Sequence, residues 1–160
     1  MVDKIVKNSI IDIRTKLLPD YEDFQRVNDD WSVEKHLNLN YDIDAAIAFS
    51  KLYFPTFITY KGCIILESRF DIMVFNDWFN EFKGDIGQVE RMCNLYEVKD
   101  IFHINDSNIT EEKIEELGNI LKKSWELNTN MLYPNRDIEV FLFLEDDNLY
   151  ITINSTEKQA

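Results

Sequence analysis

Apolar residues recur along this chain with two different periods, and the way these periods alternate predicts the fold. Spacings of three and four residues predict about five helices, which begin near residues 3, 42, 71, 85 and 110. A further short helix is predicted over residues 21–27, and the polar residues 28–40 are predicted to form a loop. Strand-type residues flanking turn signals predict two hairpins, over residues 56–67 and 138–154.

Several side chains mark where the predicted helices begin and end. A side chain that can accept a hydrogen bond from the first turn stands at the start of four helices: Asp42, Asp71, Asp85 and Thr110. Pro19 and Pro55 end the helices that precede them, and Gly84 is suited to the left-handed residue that follows a helix.

The order of helices, hairpin, helices, hairpin predicts an α+β fold with one small antiparallel sheet packed against the helices. We expect a single domain over residues 1–160, with a loose tail at residues 155–160. The helix that begins after Asp42 is expected to bury Ile43 and Ile47. The strand from Ile138 to Leu144 is apolar on both faces and is therefore expected to be central in the sheet.

The net charge of the chain indicates which class of partner the protein can bind. The formal net charge is −13, beside a hydrophobic content of 45% and an aromatic content of 13%. So many aromatic residues predict a folded chain with a strongly negative surface. Such a surface disfavours nucleic acid and anionic membranes as direct ligands and favours a basic protein partner. Residues 101–160 hold 12 acidic and 5 basic residues, so we expect the partner surface there.

The remaining chemistry is sparse. Cys63 and Cys93 lie far apart and predict reduced core thiols in a cytoplasmic protein rather than a disulfide framework. His36 and His103 have no cysteine or second histidine at the spacing of a metal site, and the four glycines form no phosphate-binding loop. We therefore expect neither a metal nor a cofactor, and no apolar run is long enough to span a membrane.

One group of residues supports an enzymatic alternative. His103 lies close in sequence to Asp100 and Asp106, and a histidine beside a carboxylate can act in acid–base chemistry. A hydrolase-like enzyme that uses His103 with Asp100 or Asp106 is the first alternative function. A phage-type mimic of nucleic acid, built on the acidic surface, is the second.

Two segments resemble proteins of bacterial toxin-immunity systems. The segment Leu18-Pro19-Asp20-Tyr21-Glu22-Asp23-Phe24 resembles the Leu-Pro-x-x-Tyr-x-x-Phe opening of the SUKH immunity superfamily, although the Asn-Gly pair expected after it is replaced by Asn28-Asp29. The segment Ala48–Pro55, with Phe57, Gly62-Cys63 and Trp78-Phe79 after it, is similar to small bacterial proteins associated with such loci. The resemblance implies an inhibitor that binds a toxin, and it implies no catalytic residues.

The sequence thus predicts a small acidic binding protein of the immunity type that masks a basic partner, and no enzyme. The side chains expected to meet that partner are the surface acids of the last third of the chain: Glu112, Glu115, Glu116, Asp146 and Asp147. Exposed carboxylates speed the encounter with a basic protein, and aromatic side chains supply close contacts.

Overall fold

The fold was analysed in a computed structural model that describes residues 5–157. The predicted α+β fold is confirmed, with six α-helices and two small antiparallel sheets over these described residues. The helices are α1 (Tyr21–Val27), α2 (Val33–Asn40), α3 (Ile43–Tyr53), α4 (Ile72–Glu81), α5 (Ile86–Cys93) and α6 (Glu111–Leu132). The strands are β1 (Phe57–Tyr60), β2 (Cys63–Leu66), β3 (Tyr96–Glu97), β4 (Arg136–Glu145) and β5 (Asn148–Glu157).

The two hairpins lie in separate sheets. Strands β1 and β2 form one, and the other has the order β3-β5-β4. Strand β5 is therefore central, and the prediction that Ile138–Leu144 is the central strand is wrong, because β4 lies at an edge where Leu144 is exposed. One face of β4 packs against α6, and the apolar side chains on its other face, Phe141 and Phe143, lie on the outer face of this sheet.

Helices cover both faces of the hairpins. Helix α6 packs against one face of both sheets, which we call the inner face, through a single apolar cluster. The cluster includes Leu121, Trp125, Ile64, Val140, Ile151 and Ile153. Helices α4 and α5 pack on the opposite face of β2, where a second cluster includes Phe75, Val89, Cys63, Ile65 and Cys93. Burial of these two clusters is the main force that holds the elements together.

The four helix starts that were predicted from capping side chains are confirmed. The side chain of Asp42 accepts a hydrogen bond from Ala45 N at 2.8 Å, and Asp71, Asp85 and Thr110 accept from the first turns of their own helices. These bonds satisfy N–H groups that have no partner within the helix. The left-handed residue that directly follows the C-cap of α4 is Lys83, with φ +52°, and the predicted Gly84 comes one residue later, with φ +79°.

A buried carboxylate joins the two sheets. Glu90 of α5 is fully buried, and its oxygens accept hydrogen bonds from Ile64 N at 2.7 Å and from Ser155 N at 2.5 Å. One turn later, Asn94 Oδ1 accepts from Leu66 N at 2.7 Å. The open edge of β2 thus meets side chains of α5 instead of another strand, which satisfies its main-chain groups.

The predicted helix over residues 3–18 is wrong for the part that the structure describes. Residues 5–14 have no helix, and only Thr15–Leu17 forms a short 3-10 helix. Ile5, Val6 and Ile10 are 67–87% exposed. β-branched residues are weak helix formers, so an amphipathic pattern forms a helix only when its apolar side is buried. Among the described residues, no element covers Ile5, Val6 and Ile10.

The predicted loop over residues 28–40 is confirmed for residues 28–32 and is wrong for the remainder. The remainder forms α2, whose start is capped by Ser32, which accepts a hydrogen bond from Lys35 N at 3.3 Å. The predicted burial of Ile43 and Ile47 in α3 is also wrong, because they are 74% and 65% exposed. Helix α3 instead contacts α6 through its last turn, where Trp125 Nε1 donates to Leu52 O at 3.0 Å.

The final strand continues beyond the predicted boundary. Residues 155–157 belong to β5, so the predicted loose tail is wrong for them, and residues 158–160 lie outside the described part. Ser155 is buried, and its main-chain N–H donates a hydrogen bond to Glu90. Within residues 5–157, no helix is long and apolar enough to cross a bilayer.

Candidate functional site

The acids predicted to meet a partner lie at one end of the molecule. Helix α6 touches the β4–β5 hairpin at Gly118, where an added Cβ atom would stand 2.8 Å from Leu149 Cδ2 and 3.0 Å from Leu142 Cδ1. From this contact, Glu112 lies about 9 Å towards the start of α6 and Asp146 about 13 Å towards the hairpin turn. Only residues 133–135 separate α6 from β4, and the two elements pack together, so the chain must reverse between them. Both distances therefore lead in the same general direction.

The hairpin turn holds two of these acids in fixed positions. Asp146 and Asp147 form a two-residue turn between the paired residues Glu145 and Asn148. Their φ angles are +48° and +64°, which matches a type I′ turn, and aspartate tolerates this left-handed conformation better than most residues. Both side chains are therefore exposed at the tip of the hairpin.

The three acids of α6 differ in their surroundings. Arg14 holds Glu116, with its main-chain N–H 2.8 Å from Oε1 and its Nε 2.6 Å from Oε2. Burial alone would raise the pKa of Glu116, but these bonds lower it. Glu112 and Glu115 are exposed, although Arg14 Nη2 reaches within 3.8 Å of Glu115. Glu116 thus anchors the N-terminal segment, and Glu112 and Glu115 face solvent.

A second group of residues surrounds the outer face of the three-stranded sheet, which is the face opposite α6. Register pairs place Glu97, Tyr150 and Phe143 side by side across β3, β5 and β4, and we call these three residues the outer row. The rings of Phe143 and Tyr150 stack with centroids 5.8 Å apart and planes at 23°. Both rings are half-buried.

The tyrosine of the outer row lies in the field of nearby carboxylates. The pKa of Tyr150 is raised, first by burial and then by the negative charges of Glu97, Glu145 and Asp100. The phenol is therefore neutral at physiological pH and lies in a negative field. Sequence reasoning missed this group, although the apolar residues on both faces of an edge strand were its visible signal.

Helix α5 contacts the outer face beyond this row, on the side away from the hairpin turn. Thr152 Oγ1 donates to Arg91 O at 2.7 Å, and Gly87 approaches Asn154 so closely that an added Cβ atom would stand 3.4 Å from its Nδ2. The guanidinium of Arg91 lies 4.9 Å from the centre of the Phe141 ring. Phe143 and Tyr150 form the next pair on this face, two residues closer to the hairpin turn than Phe141 and Thr152.

His103 lies beside a shallow cleft that shares two acids with this region. The cleft has a volume of about 310 Å³ and is lined by Arg69, Tyr96, Glu97, Asp100 and His103. The imidazole Nδ1 lies 2.8 Å from the main-chain oxygen of Asp100, and Asp106 is not among the lining residues. The structure thus brings His103 close to Asp100, through its carbonyl group, and leaves Asp106 outside the cleft.

Arginine and tyrosine side chains form the opposite wall of this cleft. Arg69 Nη2 donates to Leu95 O at 2.9 Å, and its guanidinium lies 4.7 Å from the centre of the Tyr96 ring. Within residues 5–157, Arg69 makes no ion pair. The ring of Tyr96 holds the cation in place, so the cleft carries both signs of charge.

The thiols and the metal-ligating side chains provide no reactive group here. Burial, with a contribution from the charge of Glu90, raises the pKa of Cys63 to about 12, and burial raises that of Cys93 to about 11. Both thiols are therefore protonated and poorly nucleophilic at neutral pH. Among residues 5–157, no three His, Cys, Asp or Glu side chains are grouped so that they could hold a metal ion.

Comparisons with protein families, with curated proteins and with solved structures find no match. The resemblance to the SUKH superfamily therefore stays a prediction.

Proposed function

We propose that this protein is an immunity-type binding protein that masks a basic protein partner. The observation that carries the proposal is the convergence of exposed acids from α6 and from the β4–β5 turn at one end of the molecule. We call this set the acidic end: Glu112, Glu115, Asp146 and Asp147. It occupies the region with the largest excess of negative charge in the sequence.

The acidic end supports this function through the rate of encounter. Exposed carboxylates attract a basic surface over about 10 Å at 0.1 M ionic strength, and over only about 3 Å at 1 M. Such charges act mainly on association, because they remain hydrated and contribute little once the partners touch. A partner that binds here should therefore associate quickly at low salt.

The test begins with capture of the partner from the source organism and continues with binding kinetics at several salt concentrations. We expect the on-rate to fall about tenfold or more as salt rises from low to high. Neutralisation of the acidic end should slow association more than it speeds dissociation; the variant carries Glu112→Gln, Glu115→Gln, Asp146→Asn and Asp147→Asn. Asparagine adopts left-handed φ angles readily, so the turn is preserved.

A matched variant controls for the change in net charge. It removes four exposed acids from α1, α3 and α4: Glu22→Gln, Asp44→Asn, Asp77→Asn and Glu81→Gln. The control should keep most of the on-rate. Equal effects of both variants, or an on-rate that ignores salt, would contradict the proposal.

The cleft beside His103 supports a second candidate, a hydrolase-like enzyme. The supporting observation is that His103 and Asp100 line the same cleft of about 310 Å³. Under the binding proposal, His103→Ala leaves partner binding unchanged, because that residue has no role in it. A catalytic activity that His103→Ala abolishes would favour the enzyme instead.

A further inference from the structure

We propose that the partner presents an arginine, whose guanidinium docks on the stacked rings of Phe143 and Tyr150 and contacts Glu97 and Glu145. The inference rests on the proposed function, because it names the chemistry by which this protein takes a basic partner. It assigns the open part of the outer sheet face to one occupant, a basic segment of a protein.

The geometry of the outer row fits a planar cation. Glu97, Tyr150 and Phe143 are register partners across three adjacent strands, so their side chains project from the same face. Side chains that are paired across strands lie about 5 Å apart. A guanidinium above the two rings therefore has a carboxylate within reach of its N–H groups at the β3 side.

Charge complementarity specifies the sign of the occupant. Glu145 stands on β4 two residues after Phe143 and so belongs to the same face of the sheet. Glu97, Glu145 and Asp100 all act on the Tyr150 hydroxyl, and with burial they raise its pKa. A cation above the rings would lie in this same negative field, whereas an anion would be repelled.

The same face already holds a guanidinium of this chain. Arg91 lies 4.9 Å from the centre of the Phe141 ring, and its main-chain oxygen accepts from Thr152, the register partner of Phe141. The next pair on this face towards the turn is Phe143 with Tyr150, whose rings are half-buried. The outer face thus has two consecutive aromatic positions, of which the chain's own arginine occupies the first.

The chemistry favours arginine over lysine. A guanidinium is flat, so it stacks on a ring while its N–H groups point sideways to carboxylates. An ammonium is compact and strongly hydrated, and it gains less from a flat platform. Energetically significant contacts of this kind between a cation and an aromatic ring are stronger when the site is partly shielded from water, as these half-buried rings are.

The outer row is continuous with the acidic end. Asp146 and Asp147 follow Glu145 directly in the hairpin turn. Carboxylates at the turn would draw a basic segment to the hairpin, and the rings would then hold one of its side chains. The turn carboxylates would thus govern the association rate and the rings the dissociation rate. Because these are different residues of one hairpin, separate mutations can test each effect.

The experiment uses the protein alone and N-acetyl-arginine amide as the probe, followed by NMR of assigned aromatic signals. We expect saturable shifts at Phe143 and Tyr150, with a dissociation constant in the millimolar range. N-acetyl-citrulline amide has nearly the same shape without the charge and should cause much smaller shifts. N-acetyl-leucine amide tests for a merely apolar groove, and equal shifts with this probe would overturn the proposal.

Two other stacked pairs are internal controls in the same spectra. Phe24 with Trp31 and Trp78 with Phe82 stack at centroid distances of 5.0 Å and 5.5 Å. Their signals should not shift, and shifts that are as large there as at Phe143 would show that the probe binds any aromatic pair.

Variants then separate charge from rings. Glu97→Gln with Glu145→Gln keeps both rings and should weaken probe binding about tenfold. Tyr150→Leu should abolish it, and the double-Gln variant keeps the test valid if Tyr150→Leu fails to fold. Asp77→Asn with Glu81→Gln removes the same charge from α4 and should leave binding unchanged.

The two proposals fail in different ways. If the probe does not shift Phe143 and Tyr150 while partner association remains salt-dependent, the arginine site is wrong and the proposed function stands. If the probe binds the outer row but partner association ignores both salt and the acidic end, the proposed function is wrong.

Discussion

Glu90→Ala tests whether one buried carboxylate holds the two sheets together. In the native protein, this side chain accepts hydrogen bonds from Ile64 N, Ser155 N and Ser155 Oγ, at 2.7, 2.5 and 2.7 Å. Arg136 Nη2 lies 3.7 Å from Oε1. The substitution removes the only acceptor that the structure provides for these two main-chain N–H groups within residues 5–157.

The magnitude follows from these lost partners. Ile64 and Ser155 are 1% and 3% exposed, so their N–H groups cannot easily reach water. Each buried N–H that loses its partner costs about 1–3 kcal/mol, which gives about 2–6 kcal/mol for two. Burial raises the pKa of Glu90 despite its hydrogen bonds, so removal of the carboxylate also relieves an unfavourable burial. We therefore expect a loss of about 2–4 kcal/mol in the free energy of unfolding.

Urea titrations followed by tryptophan fluorescence measure this loss, and amide hydrogen exchange locates it. The exchange of the Ile64 and Ser155 amides should accelerate more than that of Phe141, which is paired with Thr152 in the β4–β5 ladder. Glu81→Ala makes the same chemical change on the exposed surface of α4 and should cost less than about 0.5 kcal/mol. Equal losses for Glu81→Ala and Glu90→Ala would refute the bridging role.

The pH dependence gives an independent check of sign. A carboxyl whose folded pKa is raised contributes stability below its ordinary pKa and loses that contribution as the pH rises through the folded pKa. The difference in unfolding free energy between the native protein and Glu90→Ala should therefore be larger at about pH 5 than at about pH 8. A difference that grows with pH would show that hydrogen bonds outweigh burial at Glu90.

Two further predictions concern the core. Trp125→Ala should cost about 3–5 kcal/mol in urea titrations, because the ring is 4% exposed and donates to Leu52 O. Glu115→Ala, on the exposed side of α6, should cost less than about 0.5 kcal/mol, and equal losses would contradict the assigned helix face. Cys63 and Cys93 should resist alkylation at about pH 8 in the native protein and react in denaturant, as mass spectrometry would show; rapid native reaction would contradict their burial and raised pKa values.

The sequence by itself determined the features that depend on neighbouring residues. Asp42, Asp71 and Asp85 cap helices where predicted, because a cap bonds to N–H groups only two or three positions away. The first hairpin follows from strand-forming residues around Lys61-Gly62 for the same reason. The α+β fold follows from the order of these local elements.

The tertiary structure decided which surfaces are buried. The pattern over residues 3–18 fits a helix, yet residues 5–14 form none, and within residues 5–157 nothing covers Ile5, Val6 and Ile10. Glu90 looks in sequence like any helical acid, but its partners Ile64 and Ser155 lie 26 and 65 residues away. The local pattern of residues around Glu90 cannot reveal partners that are so far away along the sequence.

The candidate site divides in the same way. The acids Glu112 and Asp146 were predicted from composition, and exposed charge is the state expected of a charged residue that has no partner. The pairing of Glu116 with Arg14 and the row of Glu97, Tyr150 and Phe143 were not predicted. They depend on contacts between segments that only folding brings together, and the order of strands in the sheet decides which side chains become neighbours.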